Sequence, residues 1–369
     1  MARLEGGGVM VGHRHSIHCI VPPILLERIA RNGTEDQRGW AIDTMARDQS
    51  FRAARVQNVM QRAMSFDAMA TGPGGAPNRK IYDAKNTEDL RGAVVVRDEG
   101  ASAAGDAATD EAYDGLGDTY AFLWEVFDRN SIDDEGFRLD GVVHFGDRYD
   151  NAFWDGRRMV FGDGDGDMFN RFTASLDVIG HELGHGVTED EAGLIYWQQP
   201  GALNESMSDV IGSMVKQFKR DETAEQADWL IGAELLGPNV TGEALRSMKA
   251  PGTAYDDDVL GSDPQPAHMR DYVDTVADSG GVHINSGIPN HAFYLVATGL
   301  GERSWERAGR IWYETLRDPR VKPTVAFRGF ARATGRTAER LFGQGSDEAK
   351  AVWDAWDQVG IRLRWRPRD

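Results

Sequence analysis

An α+β fold in two lobes, strand-rich first and helical second, is what this sequence predicts, and three observations carry the prediction. Between residues 80 and 162, the β-prone runs Ile81-Tyr82-Asp83-Ala84, Ala93-Val94-Val95-Val96-Arg97 and Gly141-Val142-Val143-His144-Phe145 alternate with turn signals. From Ser175 onward the apolar residues recur mainly at helical spacing. Between these patterns stands His181-Glu182-Leu183-Gly184-His185, with Leu176, Ile179, Leu183 and Val187 on one face of a predicted amphipathic helix. That helix falls at the junction of the lobes, where clefts suited to substrates form.

Four segments follow along the chain. Residues 1–62 read as a separate unit: a Pro-broken apolar stretch, Cys19-Ile20-Val21-Pro22-Pro23-Ile24-Leu25-Leu26, then a short helix through Glu27-Ala30, then a longer one from about Asp36 to Met64. Residues 63–79 form a linker containing Thr71-Gly72-Pro73-Gly74-Gly75-Ala76-Pro77. Residues 80–187 make the strand-rich lobe and include the histidine helix. Within it, a helix from Asp110 to Asn130 turns Tyr113, Leu116, Tyr120, Leu123, Trp124 and Phe127 inward. Residues 188–369 make the helical lobe.

Composition narrows the function. The formal charge is −18 over 369 residues, yet residues 1–62 carry nine Arg against six Asp or Glu. A basic segment ahead of an acidic body suits a detachable partner held partly by long-range attraction. The acidic body repels phosphates and argues against nucleic-acid binding. No apolar run approaches the ~20 residues of a membrane span. Met1–Val21 has no continuous apolar stretch of the kind a signal peptide needs. Cys19 is the only cysteine, so no intrachain disulfide can form. No heptad seam is visible, and a monomer is expected.

The HELGH segment carries the chemistry. Residues four apart share a helix face, so His181 and His185 can aim two imidazole nitrogens at one metal ion. Glu205, after a 19-residue gap, stands on a second predicted helix with Asp209 one turn later. Two histidines and one further protein ligand leave a fourth tetrahedral position for water, whose pKa zinc lowers from ~15.7 to about 7. Glu182 is placed to take that water's proton rather than to bind metal. Asp209 can accept the second ring N–H of a ligating histidine and so fix its tautomer. Alone, each residue reads as an ordinary solvated or core position; together they read as a zinc hydrolase.

The chain resembles the thermolysin-like (M4) zinc metallopeptidases. The resemblance rests on Asn151-Ala152-Phe153-Trp154, GDGDG at 162–166, Asp177-Val178-Ile179-Gly180 leading into HELGH, and Gly193-Leu194-Ile195-Tyr196. It continues through Gly201-Ala202-Leu203-Asn204-Glu205, Leu245-Arg246-Ser247-Met248 and Gly280-Gly281-Val282-His283-Ile284-Asn285-Ser286-Gly287. It runs from roughly Arg79 to the C-terminus and implies a thermolysin-like two-lobe fold, one catalytic zinc on His181, His185 and Glu205, and Glu182 as base. It further implies that Tyr196 and His283 donate to the oxyanion, with Asp278 favouring the charged imidazole. By the same resemblance Arg246 binds a substrate carbonyl and the strand at Asn151, Ala152 and Trp154 pairs with substrate backbone. A specificity pocket would be lined by Phe169, Phe172, Val178, Ile231, Leu235 and Leu245, directing cleavage to the N-terminal side of bulky apolar residues. Phe172 stands where a smaller residue is usual, which narrows that pocket.

The Pro-Pro stretch followed by a Leu-rich helix is similar to the short propeptide of the protealysin-like branch, which implies a zymogen whose own N-terminal segment inhibits it until removed. Removal is expected between about Ser50 and Arg79, with Ser50–Phe51 and Ser65–Phe66 as candidate bonds. A Cys19 thiolate could occupy the open zinc position as a latch; a buried small apolar residue is the plainer reading. The family's double calcium site is expected to be lost: Asp177 and Asp228 remain, but Lys216, Leu230 and Ala233 replace carboxylates, and the Lys216 ammonium would stand in for the cation. GDGDG lacks the bidentate Glu of a calcium loop and reads as a tight turn. Gly184, where Thr is common, costs about 1 kcal/mol of helix propensity relative to Ala. His144, His268 and His291 have no ligand spacing, and His13, His15 and His18 sit in the N-terminal segment. A zinc aminopeptidase and a catalytically silent peptide-binding homologue are the alternatives. Family resemblance favours extracellular action, while the absence of a visible signal sequence leaves unconventional export and a cytoplasmic location open.

Overall fold

The computed structural model describes residues 18–62 and 74–363, excluding the side chains of His18 and of residues 51–62. Ser65–Phe66, His13, His15 and the first part of the Gly-Pro linker lie outside the described residues.

The strand-rich lobe is built on a six-stranded sheet of order β1-β5-β6-β4-β2-β3, comprising β1 (His18–Cys19), β2 (Arg79–Thr87), β3 (Val94–Asp98), β4 (Leu139–Phe145), β5 (Ala152–Trp154) and β6 (Arg158–Phe161). β2 pairs in parallel with β4, and β4 with β6, whereas β3, β5 and β1 join antiparallel. The N-terminal unit takes part in this sheet. It contributes β1 to the sheet, His18 facing Trp154 and Cys19 facing Phe153, and so covers the backbone groups that β5 would otherwise present as an edge.

After β1 the chain enters α1 (Pro23–Asn32), where a proline at the helix start costs no hydrogen bond, and Leu25, Leu26 and Ile29 bury one face. The long α2 (Glu35–Arg62) packs beside it. Charged and polar anchors tie both helices to the body: Arg28 donates to the carbonyls of Leu260 (2.6 Å) and Ser262 (2.9 Å), Gln37 to Asp167 (2.8 Å), and Arg47 pairs with Glu88 (2.8 Å).

Helix α3 (Ala107–Phe127) starts at Asp106, whose carboxylate accepts the Thr109 N–H at 2.8 Å, and lays Leu116, Tyr120 and Leu123 against the sheet and the histidine helix. That helix is α4 (Leu176–Glu191), with Asp177 through Thr188 all buried. Its partner α5 (Gln198–Arg220) makes with it the most extensive helix contact among the described residues. Close approach depends on glycine: a Cβ on Gly212 would sit 2.2 Å from the Asp177 carbonyl oxygen, and one on Gly184 would sit 3.0 Å from the Ser208 Cα. Gly184 thus gives up helix propensity where the helix–helix gap leaves almost no room for a side chain. The helical lobe continues through α6 (Asp278–Asn285), α7 (Gly287–Leu300), α8 (Arg310–Leu316), α9 (Phe327–Phe342) and α10 (Asp347–Gln358).

GDGDG forms a turn: Gly164 and Gly166 hold positive φ of 72° and 75°, and one Asp165 carboxylate oxygen accepts the N–H groups of Asp167, Met168 and Phe169 at 2.8, 2.7 and 3.0 Å. His144 has partners that sequence spacing did not reveal. Its Nδ1 lies 2.8 Å from Asp163 and its Nε2 3.2 Å from Asp106, which joins β4 to the turn and to the start of α3.

The hydrogen bond to Asp163, with further attraction from Asp106, raises the His144 imidazole to about 9 against the opposing effect of burial. A group whose folded pKa is raised adds stability that is complete below its unfolded value, near 6.5, and disappears as pH rises through about 9. Discounted for partial exposure, the contribution is on the order of 1 kcal/mol. His144→Gln should therefore lower Tm at pH 6 and change it little at pH 10, as read by thermal unfolding across that range.

Candidate active site

Helices α4 and α5 bring three ligand-type side chains together. His181 and His185 project from one face of α4 with their Nε2 atoms 3.1 Å apart, and Glu205 on α5 lies 3.5 Å from the first and 3.6 Å from the second. All three are buried, and among the described residues they are the only group of three or more His, Cys, Asp or Glu side chains arranged to hold a metal. The far side of each ring is fixed. His181 Nδ1 donates to Asp209 at 2.7 Å; His185 Nδ1 donates to Asn204 Oδ1 at 2.7 Å and has Ser208 Oγ at 3.0 Å. With both Nδ1 atoms protonated, both Nε2 lone pairs point at one spot. One buried oxygen of Glu205 has no protein hydrogen-bond partner. Two converging lone pairs and a carboxylate oxygen left without a hydrogen bond meet at one spot that suits a cation, so the donor set fits Zn²⁺.

Asn204 and Ser208 are residues that the sequence reading passed over. They stand four apart on α5, and the signal was available: a polar pair at helical spacing beside Glu205, matching Glu205–Asp209 one step on. Asp209 itself is a hub. Arg246 grips it twice, at 2.8 and 3.0 Å, and Asn290 donates to it at 2.8 Å. Burial alone would raise the Asp209 carboxyl; the charges of Arg246 and His181 outweigh burial and hold it far below the ordinary carboxylate range.

Glu182 points from α4 toward β5, where one carboxylate oxygen accepts the Trp154 N–H at 3.1 Å and the other is buried without a protein partner. Across the cleft, His283 on α6 lies 3.1 Å from the Tyr196 hydroxyl and 3.5 Å from Glu205, and Tyr196 also donates to Glu205. His283 Nδ1 meets Asp278 at 2.6 Å. Burial works against the charged imidazole, but Asp278 and then Glu205 more than compensate, and the net shift is upward.

Residues 19–21 of the N-terminal segment run through this cleft, Cys19 ending β1 and the chain bending at Ile20 and Val21. The Cys19 carbonyl accepts from His283 Nε2 at 3.0 Å, the Ile20 N–H donates to the Ala152 carbonyl at 3.2 Å, the Ile20 carbonyl accepts from Arg246 at 3.2 Å, and the Val21 N–H donates to Asn151 Oδ1 at 3.1 Å. The Asn151 amide is held from its other end by Asp48 of α2 at 3.0 Å, and Tyr149 donates to the same carboxylate. Asp48, unlike Asn204 and Ser208, carries no sequence signal for this role.

The Cys19 latch is corrected. Its side chain packs with Ala84, Val142, Phe145, Tyr149, Phe153 and Val160 in a small apolar cluster, and the group it brings to the site is its backbone carbonyl. Strand alternation accounts for this: Cys19 faces Phe153 on one side of the sheet, while its neighbour Ile20 turns to the core that holds the histidine helix. Phe169, Phe172, Val178, Ile231, Leu235 and Leu245 are all buried in that same core as Ile20, with the rings of Phe169 and Phe172 5.9 Å apart.

Lys216 on α5 is almost wholly buried, 2.8 Å from Asp177, 2.9 Å from Asp228, and donating to the Leu230 carbonyl at 2.6 Å. Truncating one partner of a buried ion pair leaves the other uncompensated, at about 3–5 kcal/mol. Lys216→Ala should lower unfolding stability by that amount, and Lys216→Arg by less, measured by denaturant titration.

The comparisons agree with this geometry. Residues 52–189 match the family described as thermolysin metallopeptidase, catalytic domain, and residues 192–361 its alpha-helical domain. An extracellular metalloprotease of Pectobacterium carotovorum subsp. carotovorum is 53% identical over 345 residues, covering 94% of this chain and 96% of that protein. Protease PrtS of Photorhabdus sp. (strain Az29) is 46% identical over 352 residues, 95% of this chain and 94% of its own. The solved precursor of protealysin, a metalloproteinase from Serratia proteamaculans, superposes with a TM-score of 0.85 at 52% identity, covering 93% of this chain and 99% of that one. The chain belongs to the thermolysin-like (M4) metallopeptidases, in their protealysin-like branch, and is a zinc-dependent endopeptidase.

Proposed function

We propose that the protein cleaves extended peptides before bulky apolar residues, with Glu182 as general base, and that it is made as a zymogen whose own N-terminal segment lies along the substrate path. The buried His181–His185–Glu205 group, its ring nitrogens turned to one point, carries this reading. Zinc bound there supplies Lewis-acid polarisation of the scissile carbonyl and a water acidified from ~15.7 to about 7. The residues do the rest. Glu182, fixed by the Trp154 N–H, takes the proton of the attacking water and passes it to the leaving amine. His283, charged and oriented by Asp278, and the Tyr196 hydroxyl donate to the developing oxyanion. Asn151, Ala152 and Arg246 bind substrate backbone by strand addition, through the polar atoms that now hold residues 20 and 21. The apolar residues from Phe169 to Leu245, buried in the same core as Ile20, receive the side chain that follows the scissile bond.

A strand that occupies those atoms competes with any substrate, which supports the inhibitory reading of residues 1–62. Arg28 and Arg47, docked on carbonyls and on Glu88, support the expected attraction between basic segment and acidic body. Removal of the segment between about Ser50 and Arg79 would then free the cleft; Ser50 lies on α2. The Lys216–Asp177–Asp228 cluster supports loss of the double calcium site, with the ammonium in the cation's place. No helix among the described residues is long and apolar enough to cross a membrane. Relatives named extracellular metalloproteases support action outside the cell. A monomer fits the lack of any oligomerisation motif.

Glu182→Gln should retain one zinc per chain by metal analysis. Its turnover of an end-blocked peptide with Leu after the scissile bond should fall by at least about 10²-fold relative to the processed wild type. Equal turnover would remove Glu182 as the base; loss of zinc in the variant would make it a ligand.

A further inference from the structure

Threading through the cleft has a direction and a register, and these single out one peptide bond. The main-chain carbonyl beside the metal-binding group is that of Cys19, 3.0 Å from His283 Nε2, which itself stands 3.1 Å from the Tyr196 hydroxyl and 3.5 Å from Glu205. On the C-terminal side of that carbonyl, Ile20 is held at both backbone ends, its N–H by Ala152 and its carbonyl by Arg246, and Val21 is held by Asn151. The Ile20 side chain is fully buried in the core containing the pocket residues, while the Cys19 side chain points to the opposite face of the sheet. An inhibitory strand running in the reverse direction would place N–H groups where these donors now meet carbonyls. This one presents a carbonyl to His283 and, next to it, a bulky apolar residue to the core that contains the pocket residues.

We propose that Cys19–Ile20 is a cleavage site for the protein's own active centre, cut within the same molecule, so that residues 1–19 are released ahead of removal of the whole N-terminal unit. The proposal rests on the endopeptidase reading of the site. Hydrolysis adds the oxygen of a water molecule to the Cys19 carbonyl carbon. Glu182 takes a proton from that water and delivers it to the Ile20 nitrogen as the C–N bond breaks. Cys19 leaves as a C-terminal carboxylate and Ile20 becomes a new N-terminal amine. After the cut, the anchors beyond Ile20 persist: Arg28, Gln37, Arg47 and Asp48 still hold α1 and α2 to the body. The first cut therefore leaves the cleft covered, and latency depends on the second.

The test uses the full chain. Hydrogen exchange on the zinc-loaded Glu182→Gln protein reads the threading without turnover: the Ile20 and Val21 amides should exchange at least ~100-fold more slowly than in an unstructured peptide. Intact-mass and N-terminal analysis of the zinc-loaded wild type should then show a species beginning at Ile20. It should form at a rate independent of protein concentration and at least ~100-fold slower in Glu182→Gln. Unprotected amides would overturn the threading. Protected amides with an intact Cys19–Ile20 bond, in a preparation that hydrolyses end-blocked peptide once residues 1–62 are lost, would overturn the cleavage site and leave the endopeptidase reading standing. A rate that rises with concentration would overturn cleavage within the molecule. Loss of both peptide turnover and self-cleavage, with zinc bound, would overturn the endopeptidase reading and the site with it.

Discussion

The buried carboxylate of Asp209 is the interaction on which the rest of this site depends. It sits wholly inside the protein, orients the His181 ring through a 2.7 Å contact, and is itself held by Arg246 and Asn290. A lone carboxylate at that depth would be costly to ionise. Two cationic or potentially cationic neighbours and a neutral amide make the charge tenable. Through this one group the metal-binding face of α4, the carbonyl-binding Arg246 from β7 (Arg246–Ser247), and Asn290 of α7 are locked into one arrangement. Catalytic geometry therefore depends on the packing of α4 on α5, which the glycines at 184 and 212 bring close.

The N-terminal unit exploits the same network from outside. Its strand uses the edge of β5 and a donor of Arg246, so the atoms proposed to bind substrate are satisfied by the chain itself. Polar anchors spread over α1 and α2 hold that strand in place, each modest alone and cooperative in sum. Asp48 is a buried one, reaching Asn151 and Tyr149 behind the strand. Covering the edge also protects a sheet that would otherwise expose unpaired backbone during folding.

Much of this was legible in the sequence because local periodicity and function coincide in it. Leu176, Ile179, Leu183 and Val187 gave the helix, and the four-residue step from His181 to His185 gave its functional face. Tyr196, Arg246 and His283 were legible only through family resemblance, because nothing local tells a loop histidine or a core tyrosine from one that faces a cleft. Contacts between distant segments left no signal. Asp48 reaches Asn151 from about a hundred residues away, His144 meets Asp163 across a turn, and the side to which Cys19 points was fixed only by the register of β1 on β5. A one-residue slip in that register would have turned the thiol toward the core that holds the histidine helix.

Zinc affinity of the Asp209→Asn variant, measured by chelator competition on protein verified as folded by circular dichroism, tests the account most directly. The substitution keeps the side chain's shape and removes the charge that fixes the His181 tautomer and balances Arg246. Zinc should bind about 10–100-fold more weakly than in the wild type. Unchanged affinity in a folded variant would contradict the account, because the metal-binding face would then be set by the helix alone and not by the carboxylate behind it.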